Sequence, residues 1–414
     1  MLQARVWMRR LLGVERTVVE GVELDGDGSL VVCVRPDWRV RRRCGICRRR
    51  CPGYDGGESR RRWRALDLGT TRCYLEAEAP RVSCRRHGVV VAAVPWARHD
   101  SRFTRSFEDQ VAWLACECSK RAVCELMRIA WLTVGRIITR VAAEARARSD
   151  PLDYLVRIGI DEISHRRGHR YLTVVVDHDS GLLMWAAPGR DRKTVRRFFD
   201  LLGPERCARV ELVSADGAPW IEDVVGERCP NASLCLDPFH VVQWATAALD
   251  EVRREVWNQA RRAGQTAEAR ALKGARFCLW KNPEDLTGRQ QARLAEIAET
   301  NEPLYRAYLL KEQLRQALKL PAAEALALLE QWLAWARRSR LPAFIKLAQQ
   351  IRAHLSGIAA ALSFGLSNAR TESVNTRIRL IARRAFGFHS PEALIALALL
   401  ALGGLCPPLP GRNG

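Results

Sequence analysis

Residues 155–163 read Leu-Val-Arg-Ile-Gly-Ile-Asp-Glu-Ile, an apolar run of strand length that closes on acid. Upstream, Asp150-Pro151 is a breaker pair suited to a hinge between the N-terminal half and the rest. Downstream, Arg170 to Asp177 is a second strand, His178-Asp179-Ser180-Gly181 a turn, and Leu182 to Ala187 a third strand. These three suit an antiparallel meander. Asp191 then caps a helix through Val195, Phe198, Phe199 and Leu202. Arg209 to Ser214 is a fourth strand ending at Asp216, Pro219 suits the first turn of the next helix, and Ser233 to Leu236 is a fifth strand ending at Asp237.

The order strand, strand, strand, helix, strand, helix, strand resembles that of ribonuclease-H-like folds, where the first and fourth strands are parallel neighbours. That resemblance puts Asp161 and Asp216 side by side at strand carboxyl ends, where α/β sheets collect ligands. Two carboxylates so close repel unless a cation lies between them, and oxygen ligands favour Mg2+ or Mn2+. Consecutive strand residues point to opposite faces, so only one of Asp161 and Glu162 is expected to face the site; Glu162 is the alternative ligand. A third carboxylate is expected from a later helix. Asn368-Ala-Arg-Thr-Glu372-Ser-Val-Asn-Thr-Arg-Ile-Arg opens one, with Val374, Ile378 and Ile381 on its apolar face and Glu372, Asn375 and Arg379 on its polar face. Glu372 can point at the metals while Arg379, Arg383 and Arg384 hold DNA. Three carboxylates around two cations about 4 Å apart would activate water or a 3′-hydroxyl for in-line displacement at phosphorus. Each acid also has a plainer reading: Asp216 starts a turn with Gly217, and Asp237 caps a helix.

Charge points the same way. The net charge is +21, and only seven of the 67 basic residues are Lys. A bias toward Arg explains the choice of base but not its excess over acid, and nucleic acid is the usual partner of so basic a chain. There is no long apolar span and no signal-peptide pattern at Met1 to Arg10, so an intracellular protein is expected, and no membrane.

In that setting the 14 Cys are not a disulfide framework. Cys44-Gly-Ile-Cys47 and Cys84-Arg-Arg-His87 are matched knuckles whose four ligands make a tetrahedral structural Zn2+ site. Trp63 to Leu68 and Arg72 to Pro80 are expected to supply the strands between them, with Cys51 and Cys73 as spare thiols. The Arg runs at 41–43 and 48–50 should touch DNA phosphate. Further on, Ser119 caps one helix, a turn follows at Arg128 to Leu132, and Thr133 caps a second helix through Val134, Ile137, Ile138 and Val141. This is a helix-turn-helix pattern in which Thr133, Arg136 and Arg140 would face the DNA.

The chain resembles the ISL-three family of bacterial insertion-sequence transposases over nearly its whole length. "RVSCRRHG" is similar to that family's zinc-binding segment and "SKRAVCELMRIAWLTVGRII" to its helix-turn-helix. "IGIDEIS", "VSADGAPW", "LDPFHVVQWATAALDEVRRE", "RALKGARFCLWKNPEDLT" and "NARTESVNTRIRLIARRAFGF" follow its catalytic domain in order. The resemblance implies a DDE triad at Asp161, Asp216 and Glu372, and a helical insertion before the last acid. It implies an acidic-x-x-His signature at Asp237 to His240, with His240 at the scissile phosphate or a flipped base; a His satisfied at a helix start is the alternative. Binding of terminal inverted repeats and target DNA, by at least a homodimer, is implied as well.

The expected organisation is multidomain α+β. A zinc-binding domain at 1–95 and a helix-turn-helix at 100–150 precede a ribonuclease-H-like α/β domain at 152–240. A helical insertion at 241–365, final catalytic helices at 366–405 and a disordered tail at 406–414 follow. Two other functions fit parts of the chain: a DNA-binding regulator without catalysis, and an interaction protein built on the Leu326, Leu329, Trp332, Leu333 and Trp335 stripe.

Overall fold

The structure is a computed structural model that describes residues 2–412 apart from Ser149, Arg167 and His389. It divides into two compact units, residues 151–379 and residues 1–150 with 380–414, so that one division falls between Asp150 and Pro151. The fold is mixed α/β, with helices and separate open sheets. No helix among the described residues is long and apolar enough to cross a membrane.

In the unit of residues 151–379, five strands form one sheet: β1 (Arg157–Arg166), β2 (Arg170–Asp177), β3 (Leu183–Pro188), β4 (Leu212–Ala215) and β5 (Ser233–Leu236). Their order is β3-β2-β1-β4-β5. The β1–β2 and β2–β3 pairs are antiparallel, whereas β1–β4 and β4–β5 are parallel. Alternation along the strands decides what each face buries. Ile158, Ile160, Val175, Val213 and Ala215 pack with Phe198, Phe199 and Leu202 of the Arg192–Leu202 helix and with Ile221 and Val224 of the Pro219–Arg228 helix. Asp191 caps the first of these helices by accepting from Thr194 N at 2.7 Å.

The opposite face receives the later helices. Ala361, from the Leu355–Phe364 helix, packs on Leu212 and Cys235. The helix Ala369–Arg384 crosses Gly159 so closely that a Cβ there would lie 2.3 Å from Thr371 Oγ1. Gly159 therefore sets how near the Glu372 helix comes to the sheet. The helices from Pro238–Arg262 to Leu355–Phe364 enclose their own core, with Leu249, Leu310, Trp332 and Phe344 fully buried. Leu329, Trp332 and Leu333 are core, and Trp332 Nε1 donates to Leu310 O at 2.8 Å.

The other unit opens with a four-stranded sheet of Thr17–Leu24, Leu30–Pro36, Cys73–Glu78 and Arg60–Arg64, in that order. A second sheet joins Gly53–Asp55, Arg81–Cys84 and Gly88–Val91. The sequence reading assigned the segments around Trp63 and Arg72 to the zinc knuckles. They belong instead to the four-stranded sheet, where Trp63 and Leu75 bury against Val32 and Val34, and the Arg81–Val91 hairpin makes the return. The helices Arg105–Glu117, Lys120–Met127 and Trp131–Arg148 follow. The helix Pro391–Leu402, grouped by sequence with the carboxylate domain, packs on the Arg105–Glu117 and Trp131–Arg148 helices. After it, residues 405–412 are irregular with Cys406 partly buried, and Asn413 and Gly414 lie outside the described residues.

Candidate active site and metal centre

The four knuckle residues meet. Cys44, Cys47, Cys84 and His87 place their ligand atoms within 4.8 Å of one another. Cys44 Sγ is 3.6 Å from His87 Nδ1, Cys47 Sγ is 3.7 Å from Cys84 Sγ, and Cys84 Sγ is 3.7 Å from His87 Nδ1. A tetrahedron with bonds of about 2.0–2.3 Å has edges of about 3.5–3.8 Å, so the donor set and its spacing both fit Zn2+. Local backbone explains the geometry. Arg48 turns the first knuckle with φ +62, and a Cβ on Gly45 would lie 2.5 Å from Val91 O, so only glycine lets knuckle and hairpin close. The backbone N–H groups of Arg86 and His87, with His87 and Cys44 nearby, lower the Cys84 thiol to about 6 against the pull of burial. Cys51 is buried beside the cluster but bonds Arg49 O, and Cys73 lies in the other sheet. Neither belongs to the group of four whose ligand atoms converge. Arg41, Arg42, Arg49 and Arg50 are exposed around the knuckle.

The helix-turn-helix elements form with one shift. Ser119 caps Lys120–Met127 as expected, its side chain accepting from Ala122 N at 3.2 Å. The second helix begins at Trp131, so Thr133 is inside its first turn and is not the cap. Arg136 is exposed and Thr133 half-buried. Arg140 is taken up by the fully buried Glu108, which also accepts from Ser101 at 2.7 Å and Arg98 at 3.2 Å. Arg384 donates to the carbonyls of Cys116 and Glu117 at a helix end. Arg140 and Arg384 thus hold helices together. Arg379 and Arg383 are exposed.

The acids converge on an open cavity of about 420 Å³ lined by Asp161, Glu162, Tyr171, Arg190, Asp216, His240, Glu372, Asn375, Thr376 and Arg379. Asp161 comes from β1, Asp216 from the turn after β4, and Glu372 from the first turn of its helix. Asn375 ties helix to strand, donating to Asp161 Oδ2 at 2.7 Å, while Asp161 Oδ1 accepts from Glu162 N at 2.7 Å. The helix is also anchored from below. Ser214 donates to Asn368 Oδ1, His178 Nε2 is 2.7 Å from the same hydroxyl, and Asn368 O receives Glu372 N at 2.8 Å. Asp237 caps the Pro238–Arg262 helix, and Asp237, His240 and Glu372 form a second group of ligand atoms within 4.8 Å. His240 Nε2 is buried and has no hydrogen-bond partner among the described residues.

Electrostatics make this a site that wants a cation. Burial first, and then Asp216 and Glu372, raise Asp161 to about 6. Burial and Asp216 raise Glu162 to about 7. Repelling carboxylates with oxygen-only donors fit a hard divalent ion.

One sequence expectation is corrected: Asp161 and Glu162 do not point to separate faces here. Asp161, Glu162 and Asp216 bring carboxylate oxygens within 4.8 Å of one another. The β1–β4 ladder ends at Gly159↔Ser214, so beyond it β1 has an open edge around which Glu162 leans toward Asp216. Arg190 and Tyr171, also in the cavity, carried no sequence signal; Arg190 lies past the end of β3 and stacks over Tyr171 and Trp220.

Comparison with known proteins agrees with this architecture. Residues 158–398 match the family model of the ISL3 transposase DDE domain. Residues 92–142 match the helix-turn-helix domain of transposase family ISL3, and residues 41–87 the zinc-finger of transposases IS204/IS1001/IS1096/IS1165. The transposase for insertion sequence element IS1557 of Mycobacterium tuberculosis is 56% identical over 430 aligned positions, covering 98% of this chain and 97% of that one. The transposase for insertion sequence element IS1001 of Bordetella parapertussis is 29% identical over 384 positions, covering 92% of each. A DDE domain, a helix-turn-helix and a zinc finger in one chain define a transposase. The chain belongs to the ISL3 transposase family.

Proposed function

We propose that the domain built on β1–β5 is ribonuclease-H-like and that Asp161, Asp216 and Glu372 hold Mg2+, with Mn2+ able to replace it. The zinc knuckle and helix-turn-helix would bind the terminal inverted repeats of the chain's own element. The reading is carried by one observation: carboxylates from the middle of β1, the turn after β4 and a helix open on one cavity that Arg190 and Arg379 also line. When bound, the divalent ions supply charge neutralisation at phosphorus and an acidified water or 3′-hydroxyl. The chain's residues do the rest. Asn375 fixes the rotamer of Asp161, the Ser214–Asn368 contact fixes the start of the Glu372 helix, and Arg190 and Arg379 meet strand phosphates. His240, whose ring groups with Glu372 and whose buried Nε2 has no partner among the described residues, is poised to contact the scissile phosphate. Arg136 and Thr133 read DNA from the second helix, and the exposed Arg residues of the knuckle neutralise backbone. Strand cleavage at each end followed by joining of 3′ ends to target DNA requires a homodimer or larger assembly.

End cleavage tests the proposal. Purified protein is incubated with DNA carrying the flanks of its own gene, with Mg2+ or with EDTA, beside Asp161→Ala. Metal-dependent nicks at fixed positions, absent in the variant, are expected. Binding to those flanks without cutting by the wild type would replace the proposal with a DNA-binding regulator.

A further inference from the structure

Glu162 does not behave like a carboxylate placed for stability. Its side chain is only 3% exposed, yet its nearest cation, Arg190 Nε, stays 3.9 Å from Oε2. Its Oε1 is buried and has no hydrogen-bond partner among the described residues. The indole of Trp220 faces the same carboxylate and favours its ionised form slightly, but its Nε1 makes no well-aligned hydrogen bond among the described residues. Arg190 is itself 42% exposed and is held by the rings of Tyr171 at 5.0 Å and Trp220 at 5.6 Å rather than by Glu162. A buried, underpartnered carboxylate is strongly destabilising unless something else meets it. What it faces is Asp161 and Asp216, whose oxygens lie within 4.8 Å of its own. Glu372 is grouped instead with Asp237 and His240 across the same cavity.

We infer that Glu162 is a fourth acidic ligand of the site, and that Asp161, Glu162 and Asp216 form the subsite that takes a divalent cation before DNA arrives. The inference rests on the metal reading given above and sharpens it. Glu372 then completes a second position rather than the first. This division follows from the chain itself: the first three acids come from β1 and from the turn after its neighbour β4, whereas Glu372 comes in on a separate helix. The Glu162 carboxylate would supply the ligand atom that the two aspartates alone would leave to water.

Mn2+ titration of the full-length, zinc-loaded protein without DNA, followed by electron paramagnetic resonance of free Mn2+, separates the outcomes. Wild type is compared with Asp161→Asn, Glu162→Gln and Glu372→Gln. Asp161→Asn and Glu162→Gln are expected to weaken the first Mn2+ by about tenfold or more, and Glu372→Gln by much less. Glu162→Asp is the second variant; it keeps the charge, shortens the arm and guards against misfolding of the glutamine form. Weakened Mn2+ binding at an unchanged thermal transition is expected from it. Wild-type affinity in both Glu162 variants, with Asp161→Asn weakened, overturns the inference and leaves the triad standing. Wild-type affinity in Asp161→Asn as well overturns the metal reading itself.

Discussion

Among the described residues, ligating side chains gather at a cysteine knuckle and around a carboxylate cavity, and the two places are built on opposite principles. The knuckle gathers three thiols and an imidazole at the edge lengths of a closed tetrahedron, with two of its cysteines fully or nearly buried. The carboxylate site gathers oxygen donors around an open cavity of about 420 Å³. In the first, backbone N–H groups lower a thiol toward its ligating form. In the second, burial and like charge raise the acids away from theirs. A closed site folds around its ion, whereas an open one stores repulsion that an ion and a substrate relieve.

The largest expected effect comes from breaking the closed site. Cys44→Ser or Cys84→Ser should remove the zinc, measured as one equivalent per chain by elemental analysis, and unfold the Arg81–Val91 hairpin. Affinity for the element's ends should then drop by about 100-fold or more. Retained zinc and DNA affinity in Cys44→Ser would break the comparison.

A smaller effect is expected at Gly217, which places Asp216. Its φ is +79, and a Cβ there would sit 2.6 Å from Leu236 Cδ1. Gly217→Ala should cost about 1–3 kcal/mol in a urea melt and reduce cleavage by more than its loss of fold accounts for, because Asp216 shifts with the turn. Arg140 and Arg136 give a matched pair, one change felt in stability and the other in DNA affinity. Arg140→Met strips a partner from the buried Glu108 and should lower stability by about 1–3 kcal/mol, since Ser101 and Arg98 remain. Arg136→Ala should leave the melt unchanged and lower DNA affinity and its salt slope.

The sequence was legible where local pattern decides. The strands of the sheet, the Asp191 and Ser119 caps, and the knuckle spacing all follow from periodicity, turn chemistry and ligand count. Glu162 was set against Asp161 as an alternative, rather than beside it, because strand alternation was applied past Gly159, where β1 no longer has β4 beside it. Arg140 and Arg384 looked free because their partners, Glu108 and the carbonyls of Cys116 and Glu117, are remote in sequence. The packing of Pro391–Leu402 on the helices before Asp150 is a tertiary choice that an apolar helix does not announce.

The smallest effect sharpens the contrast most. Asp161 and Glu162, raised to about 6 and about 7 from ordinary values of 3.8 and 4.5, bind protons more tightly folded than unfolded. Below about pH 4 both states are protonated and the groups are neutral in the balance. As pH rises from about 4 to about 7, the unfolded chain releases its protons first, so these acids progressively destabilise the metal-free fold. A divalent ion binds the ionised form and reverses that loss. Mn2+ should therefore raise the thermal midpoint of zinc-loaded protein by about 2–8 °C at about pH 7.5 and by clearly less at about pH 5.5. In Asp161→Asn one repelling charge is gone, so the metal-free protein should melt higher at neutral pH and gain less from Mn2+. An equal Mn2+ shift at both pH values would mean that the acids are already ionised without the ion, and the stored repulsion that distinguishes this site from the knuckle would be absent.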